Sequence, residues 1–274
     1  MAEGIGTKVK EGVLGVVKGT GDVVMGTVDT VRKAVVGTLE GAGDIAKTVT
    51  TSAGQAIKGA LEAAGDVGSG ALNVAKGAVI GVLQGVGEVG KVTAGVVSDT
   101  VRAAIKGTSD IGGDVTGAAS GLAQGVIGST KDTALSLGDA AFGVARGAIT
   151  GVKEVGGDVA STATSAVRGA INGARDIGGD VIEAVRSTAS GLVRGTGDVG
   201  GDVVEVTRAA IVGAIGGAKD VGVSAEDAAG AALSGAIDAA GDIGESAVEA
   251  VSGLAGSTIE GVKVVVTKPF KKSE

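Results

Sequence analysis

An all-α fold, one long amphipathic helix or several, is predicted by three features of this 274-residue sequence. Acidic residues recur every 22 positions with no slip, at Asp22, Asp44, Asp66, Glu88, Asp110, Asp132, Glu154, Asp176, Asp198, Asp220 and Asp242. Apolar side chains keep that register in six steps per repeat, about 3.67 residues per step, which is the 11-residue helical period. Opposite charges stand three or four apart in the helix-supporting order, as at Glu183–Arg186, Glu205–Arg208, Asp29–Arg32 and Asp29–Lys33.

Each element follows from a column of this repeat. The strongest apolar column runs Val17, Leu39, Leu61, Leu83, Ile105, Ile127, Ile149, Ile171, Val193, Ile215, Ile237 and Ile259, and it is expected to face lipid or a partner. A second runs Val23, Ile45, Val67, Val89 and Ile111, lapses at Thr133 and resumes at Val155. Two small-residue columns lie four apart. They pair Gly37 with Gly41, Gly81 with Gly85, Gly147 with Gly151, Gly169 with Gly173, Gly191 with Gly195 and Gly213 with Gly217. Such small-xxx-small pairs let helix backbones approach closely, so these twelve glycines are the expected helix-packing residues.

Residues 1–264 therefore read as a single repetitive helical region of 22-residue units, each two 11-residue periods, and 265–274 as a short basic tail with Pro269 and three lysines. The region is expected as an extended rod or as a folded-back helical hairpin or bundle. A solenoid with 22-residue rungs is the alternative architecture. A β-rung would need apolar residues two apart, but the intervening positions are Gly, Ser or charged. A solenoid of short helices arises if Gly19 to Asp22, Gly41 to Asp44 and Gly195 to Asp198 each form a helix stop followed by an Asp N-cap. The lack of insertions favours the continuous helix, because one extra residue would rotate every later side chain by about 100°.

Composition narrows the chemistry. The chain has no Cys, His, Trp or Tyr, so imidazole bases, thiolate nucleophiles and the common zinc ligands are absent. Ser and Thr abound without a base to activate them, and no enzyme is expected. No cofactor and no metal are expected either. Gly195 to Gly200 matches a dinucleotide-binding GxGxxG, but it belongs to the repeat and follows no strand pattern. The Asp110–Asp114, Asp176–Asp180 and Asp198–Asp202 pairs are read as solvated carboxylates and not as calcium ligands. A net charge of −7 without a basic patch argues against nucleic acid. The longest uncharged run, Val115 to Thr130, is 16 residues and too short and polar to span a membrane, and the N-terminus has no apolar signal segment. An intracellular protein is expected, peripheral to a membrane or lipid body.

With 54 glycines, each repeat carries about four, costing roughly 1 kcal/mol apiece against Ala. Four or five Val, Ile or Leu per repeat return roughly 1.5–3 kcal/mol each, but only when covered. The helix is thus expected to form against lipid or against sister chains.

The segment Gly6-Thr7-Lys8-Val9-Lys10-Glu11-Gly12-Val13 resembles the KTKEGV-type repeat of the synucleins. The 11-residue period, over residues 1 to about 264, is similar to that of perilipin-like lipid-droplet coats and late-embryogenesis-abundant proteins. The resemblance implies a helix induced on lipid surfaces. The leading functional expectation is a structural protein that binds a membrane or lipid-body surface and packs side by side with copies of itself as a coat or scaffold. The alternatives are a self-assembling helical filament, tube or bundle, and a dehydration or stress protectant.

Overall fold

The computed structural model describes residues 4–19, 22–40, 45–68 and 70–266. Gly41, Asp44 and most of the basic tail lie outside them. The described residues form thirteen helices and one small hairpin, so the continuous rod gives way to short helices. They are α1 (Ile5–Lys18), α2 (Val23–Leu39), α3 (Ile45–Val67), α4 (Ala71–Val89), α5 (Ala94–Asp110), α6 (Val115–Gly128) and the single turn α7 (Thr130–Thr133). There follow α8 (Leu137–Glu154), α9 (Val159–Asp176), α10 (Val181–Asp198), α11 (Val203–Val221), α12 (Ala225–Gly241) and α13 (Glu245–Ser252). Strands β1 (Thr258–Ile259) and β2 (Val262–Lys263) pair antiparallel at the end. The last member of the apolar column, Ile259, therefore sits in a strand, and the helical region stops short of residue 264.

The break between helices is written in a five-residue signature. Asp110-Ile-Gly-Gly-Asp114 recurs as Glu154 to Asp158, Asp176 to Asp180 and Asp198 to Asp202. Its first glycine, Gly112, Gly156, Gly178 or Gly200, takes φ between 64 and 69°, a left-handed conformation that a Cβ penalises. The next amide reaches back five residues to a helix carbonyl, as Gly113 N to Thr108 O at 2.8 Å and Gly179 N to Ala174 O at 2.8 Å, closing a Schellman stop. The final Asp then caps the next helix: Asp114 accepts from Gly117 N, Asp158 from Ser161 N, and Asp180 and Asp202 each from two amides. At these four junctions a stop and a start are fused in five residues, so the 11-residue period does not run through them.

Repeat six, which lies among these four, departs from the signature. Where they have Ile- or Val-Gly-Gly-Asp, it has Thr133-Ala-Leu-Ser136, and Ala134 is forced to φ 51° in the glycine position. Ser136 supplies the cap instead, accepting from Asp139 N.

Packing follows an alternating plan. Leaving the single turn α7 out of the count, the most extensive contacts join second neighbours: α1 with α3, α5 with α8, α8 with α10 and α10 with α12 along one series; α2 with α4, α6 with α9 and α9 with α11 along the other. Immediate neighbours touch across the two series less extensively. The core between them is made of small aliphatic residues, and its largest fully buried side chains are Leu and Ile, such as Leu83, Ile105, Ile149 and Ile215. The cover expected from lipid or sister chains is thus supplied by the chain's own helices.

Candidate functional site

The two glycine columns do their work at the second-neighbour interfaces. A Cβ on Gly81, Gly147, Gly169, Gly191 or Gly213 would come within 3.0 Å of a backbone carbonyl on the helix two earlier: Val28, Ser98, Ser120, Phe142 or Thr164. Gly85, Gly151, Gly173, Gly195 and Gly217 lie against the same helices one turn on. Gly37 is different. Nothing lies within 4 Å of its Cβ position, since α2 is the first described helix of its series. Gly41 is outside the described residues.

The apolar column points inward. Leu39, Leu61, Leu83, Ile105, Ile127, Ile149, Ile171, Val193, Ile215 and Ile259 are buried within the molecule, and Val17 and Ile237 are half-buried. Burial at one periodic position on helix after helix is what an amphipathic pattern of this kind requires once the helices cover one another, and the two half-buried members lie on α1 and α12, toward the ends of the array.

The acidic column, expected as a solvated stripe on a long rod, has two placements. Asp22 is the N-cap of α2, accepting from Val24 N at 2.8 Å. Glu154, Asp176 and Asp198 are instead the last residues of their helices, where the macrodipole disfavours negative charge. The offsetting partner is a donor on the helix two earlier. Arg32 reaches Glu88 at 2.7 Å, Lys106 reaches Glu154 at 3.0 Å and Arg146 reaches Asp198 at 2.7 Å. Lys10 reaches Asp66 at 2.9 Å, Arg186 pairs with Asp238, and Gln124 donates to Asp176 at 2.8 Å. The result is a ladder of ion pairs and hydrogen bonds along the outside of each series. Each rung is solvent-exposed and contributes on the order of 0–1 kcal/mol. The hydrogen bond from Gln124, then that from Arg175, holds the Asp176 carboxyl below its ordinary range. The Ser161 amide and hydroxyl do the same for Asp158.

The ladder lapses between α4 and α6. The residue 52 positions before Asp132, where other rungs have their donor, is Ile80, and Asp132 makes no ion pair or side-chain hydrogen bond among the described residues. Here the glycines of α6 meet side chains and not backbone: Gly121 meets Leu72 and Gly125 meets Lys76. An open groove of about 480 Å³ lies here, lined by Val24, Met25, Val28, Ile80, Lys76 and Asp132 among others. Met25, at 66% exposure, is the most exposed large apolar residue described.

Among the described residues no group of three or more Asp or Glu is placed to hold a metal ion, and no helix is long and apolar enough to cross a membrane. The second carboxylates of the Gly-Gly-Asp signatures are occupied by the amides they cap. The inter-helix rungs were not legible as pairs in the sequence, because most join residues 52 apart; the shared register of basic and acidic columns was the available signal.

The most repetitive features of the chain therefore converge on helix-to-helix packing and on two exposed outer flanks, not on an enclosed chemical centre. The sequence matches no protein-family model and no curated protein.

Proposed function

We propose that this chain is a non-enzymatic structural protein, a solenoid-like scaffold made of one helix per 22 residues. The observation that carries the reading is the burial of the Leu39-to-Ile215 column inside a single molecule, combined with glycine columns spent on its own neighbouring helices. Residues invested in packing at every repeat serve a defined surface of regular spacing, and the two outer flanks with their charged rungs are where partners would bind. The single chain is expected to be strongly helical in dilute buffer, with an elongated scattering profile and helicity independent of concentration. A disordered circular dichroism spectrum in dilute buffer would refute the scaffold.

A lipid-surface coat is the second reading, favoured by the Gly6 to Val13 motif and by the amphipathic character of the full-length helices. It requires the second-neighbour contacts to open so that the apolar columns exchange helix neighbours for the membrane interface. Anionic vesicles separate the two readings. The scaffold keeps its near-native hydrogen-exchange protection on their addition, whereas the coat binds them and loses protection in the Leu39-to-Ile215 column.

A further inference from the structure

The two ends of the array are finished differently. At the C-terminal end, α13 and the hairpin fold back onto the last full-length pair: α13 packs on α12 and α11, β2 on α12 and β1 on α11. Val251, Leu254, Ile259 and Val264 from this segment are buried in the same core cluster as α11 and α12. This segment replaces a full-length repeat helix with the eight-residue α13 and a hairpin. At the N-terminal end no such element among the described residues covers α1 and α2. Gly15 and Gly37 there have nothing within 4 Å, whereas the next members of their column, Gly59 and Gly81, seat on the carbonyls of Gly6 and Val28.

The ladder shows the same interruption. Arg186 of α10 pairs with Asp238 of α12, but its counterpart one repeat later, Arg208 of α11, makes no ion pair. At the other end Asp22 is an acidic-column residue with no cation two helices before it. Among the described residues Arg208 at one end has no ion pair, and Asp22 at the other has no cationic partner and accepts from the amides of its own helix, Val24 N and Met25 N.

We propose that residues 245–266 are a stop: they occupy the face of the last helix pair that would otherwise accept the first helix pair of a second copy. The occupant is fixed by continuity. The interface that would form is the second-neighbour packing the chain already makes from α1 through α12, with the open edge of α1 and α2 as the incoming surface. Because the two surfaces are different patches, association through them is head-to-tail and does not close on itself. The inference rests on the helix packing and is independent of whether the array serves as scaffold or coat.

The test uses the full chain with Val251→Asp and Val264→Asp, which place two carboxylates in the buried contacts of the stop, measured by sedimentation and circular dichroism. The unaltered chain is expected to stay monomeric. The altered chain is expected to keep its helicity, at least double its weight-average mass as concentration rises, and return to a monomer when Gly15→Arg and Gly37→Arg are added. The proposal is overturned if the unaltered chain already forms such oligomers, or if the altered chain stays monomeric. It is equally overturned if the altered chain loses helicity or associates regardless of the two glycine substitutions.

Discussion

The α8–α10 and α4–α6 interfaces use the same glycine columns to opposite ends. Between α8 and α10, Gly191 and Gly195 lie against the backbone of Phe142 and Arg146, and Arg146 closes the rung to Asp198. Between α4 and α6, Gly125 in the first column lies under Lys76, the second column has Ser129, the donor position of the rung holds Ile80, and a groove opens. A glycine column is thus permission for close approach and not its cause. What decides the spacing is the residue opposite: a backbone carbonyl can be met at contact distance only where no bulky side chain intervenes.

The comparison can be broken most sharply at Gly191. Gly191→Ala drives a Cβ into the Phe142 carbonyl, and overpacking of this kind costs about 1–3 kcal/mol, outweighing the roughly 1 kcal/mol that Ala gains in helix propensity. Gly191→Val should cost more still. Thermal or urea unfolding reads both, and a Gly191→Ala protein as stable as the parent would remove the basis for calling that interface tight. At Gly125 the neighbour is the movable end of Lys76, so Gly125→Ala is expected to be within about 1 kcal/mol of neutral by the same measurement.

A middling effect is expected at the linkers. Asp180→Ala removes the acceptor for two amides and should cost about 1 kcal/mol, with Asp180→Asn largely restoring it. In repeat six the sign reverses: Ala134→Gly relieves a left-handed alanine and should stabilise by about 1 kcal/mol, provided that turn keeps its present φ. A loss of stability there would show that the turn is held by something other than its backbone. The rungs should matter least. Ile80→Arg, which supplies the missing donor to Asp132, is expected to add no more than about 0.5 kcal/mol, and that gain should vanish in high salt.

Acid titration sharpens the same picture. The carboxyls of Asp158 and Asp176 are held below their ordinary values in the folded chain, so their contribution is complete above the unfolded carboxylate range near pH 4 and is lost as pH falls through the folded values. Unfolding midpoints followed downward from about pH 5 should fall, and Asp158→Asn should flatten part of that slope.

Much of the fold was legible. Helix as the element, a single apolar column and two small-residue columns four apart all follow from which residue types share a register, although that column was expected to face lipid or a partner and turns inward instead. The rod was the misreading. Its supporting premise, that missing insertions imply an unbroken helix, overlooked a second way to forbid insertions. Each helix must present its glycines and its acidic end to a helix 44 residues away in sequence, so an extra residue anywhere in it would misalign two interfaces at once. The signal for breaks was present in Asp-Ile-Gly-Gly-Asp, which is a helix stop and a helix start side by side. The end of the repeat was less visible: Ile259 keeps the apolar register, yet Gly256 and Gly261 take φ of 79 and 78° around it and the segment turns back as a hairpin.

By itself the sequence determined the unit: its length, its helical element, its apolar face, its caps and the columns available for close approach, because these depend on local conformational preference and periodic spacing. Only the tertiary structure decided what each face meets. Whether the apolar column covers lipid, a sister chain or its own second neighbour, and whether a glycine touches a carbonyl or a lysine stem, depends on how the linkers turn one helix against the next. Such turns accumulate over many residues, and no single repeat contains the information.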